Sequence, residues 1–170
     1  LLLLDSTAQN PKPNIIYILA DDLGIGDVSI YNESSKINTP NLDKLGLEGM
    51  KFTDAHTSSS VCTPTRYGIL TGRYNWRTPL KNFVLWGDSP MLIDDNRYTV
   101  ANLLKDYGYE TAVIGKWHLG LNWSGAQEYE RFTNFKDRYE PEQLDYTKPL
   151  KKGTLDLGFD YSYIISASLN

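Results

Sequence analysis

A continuous apolar run near the amino terminus constrains the fold of this chain more than any other feature. Residues 14–20 read Asn-Ile-Ile-Tyr-Ile-Leu-Ala, with β-branched and aromatic side chains and no polar alternation. Such a run predicts a strand buried on both faces, as in a parallel sheet. The run therefore predicts a neighbouring strand on either side of this strand, and helices packed on both faces of the sheet.

An acidic pair, Asp21 and Asp22, follows this predicted strand directly. Two carboxylates at the end of a buried strand are costly unless something compensates their charge. Ligands of open α/β sheets gather at the carboxyl ends of strands, and hard divalent cations prefer oxygen ligands. We interpret the pair as candidate metal ligands, while a solvated turn remains the commoner place for two adjacent aspartates. Asp27, between Gly26 and the next segment, is interpreted as a turn residue.

The remaining helix and strand signals complete an α/β pattern. Thr39 and Pro40 predict the start of a helix that Gly49 ends. Apolar residues at i, i+3, i+4 and i+7 from Val100 predict an amphipathic helix that Gly108 ends. Further strands are predicted at residues 50–55 and 109–115. With the helix described next, the order β, α, β, α, α, β predicts a largely parallel sheet between helices.

The single cysteine of the chain, Cys62, cannot form an internal disulfide. Pro64 fits the first turn of a helix, Thr63 fits the N-cap before it, and Gly72 fits the C-cap. Cys62 would then lie just before a helix amino terminus, which favours an anion or a developing negative charge. Arg66 adds a full positive charge in the first turn. The pattern indicates an anion-handling site, although a small buried side chain is the usual role of a free cysteine.

A basic pair, Lys116 and His118, follows the predicted strand at 109–115. The carboxyl ends of parallel strands meet at one edge of a sheet, so this pair is predicted near the acidic pair. In extended backbone the two side chains would point to one side, on either side of Trp117. Read alone, the segment is equally compatible with an ordinary basic turn.

Three stretches together resemble the type I sulfatases. Residues 62–66, Cys-Thr-Pro-Thr-Arg, resemble the Cys-x-Pro-x-Arg signature of that family, and the similarity continues to Gly72. Residues 20–27 resemble its amino-terminal aspartate motif, and residues 108–118 resemble its second signature. The resemblance covers the chain from Pro13 onward and implies an alkaline-phosphatase-like fold.

The resemblance also implies roles for named residues. Cys62 is converted to formylglycine, whose hydrate is the nucleophile, by a formylglycine-generating or sulfatase-maturating enzyme. Asp21, Asp22 and the modified residue 62 bind one calcium ion. Arg66 orients the hydrate, Lys116 contacts the sulfate, and His118 assists in proton transfer or orientation.

The function implied is hydrolysis of a sulfuric ester on a carbohydrate or an aryl group. Phosphoesterases and phosphonate hydrolases of the same superfamily share the nucleophile and form one alternative. A non-catalytic sulfate-binding relic, with an unmodified Cys62, forms the other. Two carboxylates and one modified residue are too few ligands for calcium, which takes six to eight oxygens. We therefore expect the 170-residue chain to be the amino-terminal part of a sulfatase and to be inactive alone.

Composition and the amino-terminal residues limit partners and location. The formal charge of −4 gives no reason to expect nucleic acid as a partner, and no apolar run reaches transmembrane length. Residues 1–8, four leucines followed by Asp-Ser-Thr-Ala, resemble the tail of a signal peptide. A cloning remnant or a short buried segment is the alternative. We expect residues 9–170 to be catalytic-domain sequence, exported to the periplasm or the extracellular space, or to lysosomes in a eukaryote.

Overall fold

The computed structural model describes residues 12–125, 129 and 132–168, and the predicted signal-peptide remnant at 1–8 lies outside them. Within these ranges the helices and strands are α1 (Pro40–Glu48), α2 (Cys62–Thr71), α3 (Val100–Asp106), β1 (Ala112–Lys116), β2 (Asn122–Trp123), β3 (Leu150–Lys152) and β4 (Tyr161–Ile165). Short 3₁₀ turns cover Ile25–Asp27, Asn75–Arg77, Pro141–Gln143 and Leu155–Leu157. The chain divides into two compact units, one up to Thr53 and one from Asp54.

In the first unit the predicted helix is confirmed. Helix α1 has Pro40 at its first position, after Thr39, and Gly49 follows its last residue. The carboxylate of Asp43 holds the preceding segment to the helix, because it accepts hydrogen bonds from Ser29 Oγ at 2.6 Å and from the backbone N–H of Ile30 at 2.9 Å. The hydrogen bond from Ser29 is the main cause that lowers the pKa of Asp43. Asp27 is a turn residue, as predicted, since its carboxylate accepts from the backbone N–H of Gly24.

The prediction of a buried strand at residues 14–20 is wrong for this structure. The run has no strand assignment, and Ile16 and Ile18 are 83% and 84% exposed. The predicted strand at 50–55 is absent as well. A strand exists only through hydrogen bonds to a neighbouring strand, and no described residue pairs with either segment.

The second unit contains a parallel pair of strands, formed by the predicted strand that ends near residue 115 and by a strand at 161–165 that was not predicted. Strands β1 and β4 pair in parallel, from Ala112 opposite Tyr161 to Lys116 opposite Ile165. The pairing continues past the strand end, because the backbone N–H of Trp117 donates to the Ile165 carbonyl at 2.9 Å. Strands β2 and β3 form a separate antiparallel pair.

Helix α3 begins as its sequence predicts. Thr99 accepts from the backbone N–H of Asn102, and the Asn102 side chain bonds back to Thr99, which is a reciprocal cap. The predicted helix end is also confirmed, since Gly108 follows the last turn with φ +76°. Among the described residues no helix is long and apolar enough to cross a membrane.

The hydrophobic core of the second unit lies beneath helix α2 and the segment that follows β1. Tyr67 of α2, Trp117 and Leu119 are at most 2% exposed. Met91 and Ile93, from the irregular stretch before α3, are fully buried against them. The two segments that carry the predicted nucleophile and the predicted basic pair therefore rest on one core.

Candidate active site

The cysteine occupies the first turn of helix α2. The helix runs from Cys62 to Thr71, with Val61 as N-cap, and the Val61 carbonyl accepts from the Thr65 N–H at 3.2 Å. The helix thus starts two residues earlier than the sequence indicates, and the prediction of Thr63 as N-cap is wrong. The Thr63 hydroxyl bonds elsewhere, to the backbone carbonyl of His118 at 2.8 Å. The Gly72 C-cap is confirmed, with φ +62° and its N–H donating to Gly68.

Arg66 and Lys116 join the start of helix α2 to the end of β1. Arg66 Nη1 donates to the Lys116 carbonyl at 2.5 Å. The Lys116 side chain turns back toward the helix, and its Nζ lies 3.2 Å from Cys62 Sγ. A lysine ammonium therefore lies beside Cys62 Sγ at a helix amino terminus, and the Arg66 guanidinium bonds to the backbone of the same lysine. A cationic side chain and a helix amino terminus both stabilise negative charge.

His118 lies next to the same helix but not in the predicted conformation. Its φ of +58° is in the left-handed region, so the expectation of extended backbone with Lys116 and His118 on one side is wrong. The side chain is buried, and Nε2 lies 2.7 Å from the Leu85 carbonyl. Because a carbonyl oxygen only accepts, Nε2 carries a proton, and Nδ1 is the ring nitrogen that can take one up.

The acidic pair belongs to the first unit. Asp21 and Asp22 lie in an exposed turn that follows residues 14–20, which agrees with the solvated-turn alternative for this unit taken by itself. Among the described residues no group of three or more histidine, cysteine, aspartate or glutamate side chains could hold a metal ion.

Comparison with known proteins identifies the chain. The Sulfatase family model matches residues 13–165. An N-acetylgalactosamine-6-O-sulfatase of Bacteroides thetaiotaomicron is 40% identical over 166 residues, which are 98% of this chain and 29% of that protein. The chain belongs to the sulfatase family. Human steryl-sulfatase is 44% identical over 123 residues, 69% of this chain and 21% of that protein.

A solved structure gives the sulfatase fold. A protein studied for glycosaminoglycan metabolism by Bacteroides thetaiotaomicron aligns with a TM-score of 0.77 and 40% identity, over 93% of this chain and 29% of that one. The expected alkaline-phosphatase-like α/β fold is thereby confirmed for a partial domain. The chain spans 29% of the length of this sulfatase relative and corresponds to the amino-terminal portion of the family.

The donor types of this sulfatase chain fit a hard cation, although their number does not complete a site. Asp21 and Asp22 offer carboxylate oxygens, which are the type of ligand that a hard cation prefers. Calcium takes six to eight oxygen ligands. Further ligands would have to come from other residues of the sulfatase.

Sequence reasoning missed two contributors to the sulfatase site. Thr63 bonds to the His118 carbonyl, and the backbone of Leu85 bonds to both Thr63 and the His118 ring. Thr63 lies inside the signature, so the sequence points to its position, but the sequence does not show that it bonds to His118, 55 residues away. The role of Leu85 has no signal in the sequence, because it acts through backbone atoms.

Proposed function

We propose that the protein containing this chain is a sulfuric ester hydrolase that removes sulfate from a carbohydrate or aryl sulfate. The observation that carries the proposal is the contact of Lys116 Nζ with Cys62 Sγ at 3.2 Å, at the start of helix α2. The sulfur marks the position that the formylglycine oxygens would take. A sulfate ester brought there carries the negative charge that this site stabilises.

The modified residue supplies the nucleophile in this proposal. As its hydrate, formylglycine would offer one hydroxyl to attack the sulfur of the sulfate ester. A bond from this oxygen to sulfur would form while the bond from sulfur to the alcohol oxygen breaks, so that the alcohol leaves with a proton and residue 62 carries the sulfate. Deprotonation of the second hydroxyl would then expel sulfate and restore the aldehyde. An unmodified thiol has no second hydroxyl and cannot turn over in this way. Conversion requires a formylglycine-generating or sulfatase-maturating enzyme as a partner.

The charged side chains act on the sulfate and on residue 62. The Lys116 ammonium neutralises charge on the sulfate during transfer. The backbone of Lys116 is held in place because its carbonyl accepts a hydrogen bond from the Arg66 guanidinium. Arg66 holds the helix start against the end of β1 and orients the hydrate. His118 takes up or delivers a proton at Nδ1, since Nε2 is committed to the Leu85 carbonyl.

Calcium is the proposed metal. It would be held by Asp21, Asp22 and residue 62 with further ligands from other residues, and it would neutralise charge on the sulfate oxygens. The protein is proposed to be exported, which agrees with a leucine-rich amino terminus. A carbohydrate sulfate is supported by the name of the Bacteroides relative, an N-acetylgalactosamine-6-O-sulfatase.

The deciding experiment is the mass of the tryptic peptide that spans residues 52–66, from the complete gene product made in a host that matures sulfatases. An aldehyde in place of the thiol is the expected result. Turnover is then compared among a sulfate, a phosphate and a phosphonate ester of one leaving group. A plain cysteine with no turnover supports the binding relic, and preference for phosphate or phosphonate supports the related hydrolases.

A further inference from the structure

His118 has an unusual backbone conformation for a buried residue with a side chain. Its φ is +58°, in the left-handed region that non-glycine residues adopt rarely. The residue is 3% exposed, between two core residues, Trp117 and Leu119. A conformation of this kind persists when surrounding contacts over-determine it, and such residues cluster at functional sites.

Three hydrogen bonds fix His118. Its backbone N–H donates to the Ser166 carbonyl at 2.9 Å. Its ring Nε2 donates to the Leu85 carbonyl at 2.7 Å. Its own carbonyl accepts from the Thr63 hydroxyl at 2.8 Å. Backbone, ring and carbonyl are therefore each held by a different segment of the chain.

Thr63 completes a closed network of hydrogen bonds with Leu85 and His118. Its hydroxyl also accepts from the Leu85 backbone N–H at 3.2 Å, so Thr63, Leu85 and His118 bond to one another in turn. Thr63 is completely buried and adjoins Cys62 in helix α2. Ser166 and Leu85 contribute backbone carbonyls, which substitution leaves in place, whereas Thr63 contributes a side chain.

We propose that Thr63 is the positioning residue of His118 and sets its imidazole relative to residue 62. The inference rests on the proposed function, since it concerns the same reaction. Thr63 does not touch the substrate. It helps to fix the left-handed turn at His118 from the same helix that carries residue 62, and of the three partners of His118 it is the one that contributes a side chain.

The chain offers a matched control in Thr111. This threonine is also buried, its hydroxyl donates to the Gly158 carbonyl at 2.6 Å, and it accepts from the Asp160 backbone N–H at 3.2 Å. Thr63→Val and Thr111→Val thus each remove one buried hydroxyl with a carbonyl acceptor and an amide donor. Thr63→Ser keeps the hydroxyl and tests for rescue. Thr63→Ala replaces the valine variant if that variant does not fold.

The first readout does not depend on activity. Diethyl pyrocarbonate is applied to the complete gene product, and modification of His118 is measured by peptide mass relative to His56, whose side chain is 82% exposed. Loss of a buried hydrogen-bond partner predicts faster labelling of His118 in Thr63→Val, on the order of tenfold. Thr63→Ser and Thr111→Val should label as the wild type does. Unchanged labelling in Thr63→Val, or an equal rise in Thr111→Val, overturns the proposal.

The second readout is turnover per formylglycine, so that altered conversion of Cys62 is corrected for. Thr63→Val should lower kcat on the order of 10- to 100-fold with KM within about twofold, which is part of the roughly 10²–10⁴-fold that a positioned proton-transfer group contributes. Thr63→Ser should restore kcat. In the His118→Ala background Thr63→Val should have no further effect, because Thr63 acts through His118.

These outcomes separate the two proposals. A wild type with plain cysteine and no turnover refutes the proposed function, while the labelling still decides whether Thr63 fixes His118. An active wild type with unchanged kcat in Thr63→Val refutes the positioning role. Fully additive losses in the double variant refute it as well.

Discussion

Lys116 is the side chain whose removal gives the sharpest test of the proposed chemistry. Its Nζ lies 3.2 Å from Cys62 Sγ, and its side chain is half-buried at the end of β1. Lys116→Met keeps a long apolar stem and removes the charge. The backbone carbonyl that Arg66 bonds to is untouched, so the join between helix α2 and β1 stays in place.

The size of the effect follows from this distance. Two unit charges 3.2 Å apart interact by about 5 kcal/mol at an effective dielectric constant of about 20, and by about 1 kcal/mol in bulk water. A half-buried lysine lies between these limits. The negative charge in the transition state is spread over several sulfate oxygens, which reduces the loss further. We expect kcat to fall by about 10²–10³, similar to the loss of one oxyanion-hole donor.

The assay is steady-state hydrolysis of one aryl sulfate by the complete, matured gene product, normalised to formylglycine content. Lys105→Met is the control, because it also removes one lysine charge but from an exposed ion pair with Asp160. Exposed ion pairs contribute little to stability because solvent screens them, and Lys105 lies outside the proposed site, so the control should keep wild-type kcat. A Lys116→Met enzyme with kcat within about threefold of the wild type would refute the assignment of Lys116 to the sulfate.

Four further results are expected. Gly120→Ala should lower the free energy of unfolding in urea by more than about 4 kcal/mol, because the added Cβ would lie 2.0 Å from the Pro90 carbonyl oxygen. Gly72→Ala is the control, because its Cβ would meet open space, and it should cost about 1–2 kcal/mol. Equal losses in the two variants would contradict the predicted clash at Gly120. The hydrogen bond from Lys105 is the main cause that lowers the pKa of Asp160 in the folded protein. The Asp160 carboxylate therefore stabilises the fold at pH values above its pKa in the unfolded chain, which is about 4. This stabilisation is lost as the pH falls through the pKa of the folded state. Urea midpoints should therefore differ between wild type and Asp160→Asn at pH 7, and the difference should shrink as the pH falls below about 4. An undiminished gap at pH 3 would argue against the linkage. Chelation should lower turnover, and added calcium should restore it; indifference to chelators excludes calcium. The isolated 170-residue chain should show no sulfatase turnover, and measurable turnover would refute that expectation.

The elements that sequence predicts well are those whose signals are local. Helix α1 follows from Thr39 and Pro40, and helix α3 follows from its spacing of apolar residues and from Gly108. In both cases the residues that start or end the helix act within one turn of themselves. The signature at 62–66 is local in the same sense, and it predicts both a helix and a family.

The elements that sequence predicts poorly depend on distant partners. The run at 14–20 has the composition of a central strand, yet an apolar run becomes a strand only beside another strand. The left-handed turn at His118 is a second case, since no glycine marks it. It is held by Thr63 from 55 residues away and by Leu85 from 33 residues away, which no local pattern contains.

Packing within one compact unit is enough to bring Arg66 and Lys116 to the start of helix α2. Helix α2 and the segment after β1 share the buried residues Tyr67, Trp117 and Leu119, so the surfaces that carry Cys62 and Lys116 are fixed by one core. Hydrogen bonds from Thr63 and Arg66 to backbone carbonyls then set the two segments against each other. Positive charge beside Cys62 requires no more than this packing, because a helix amino terminus and the Lys116 side chain supply it. A calcium site needs many converging oxygen atoms, so it depends on more of the chain than the basic residues do.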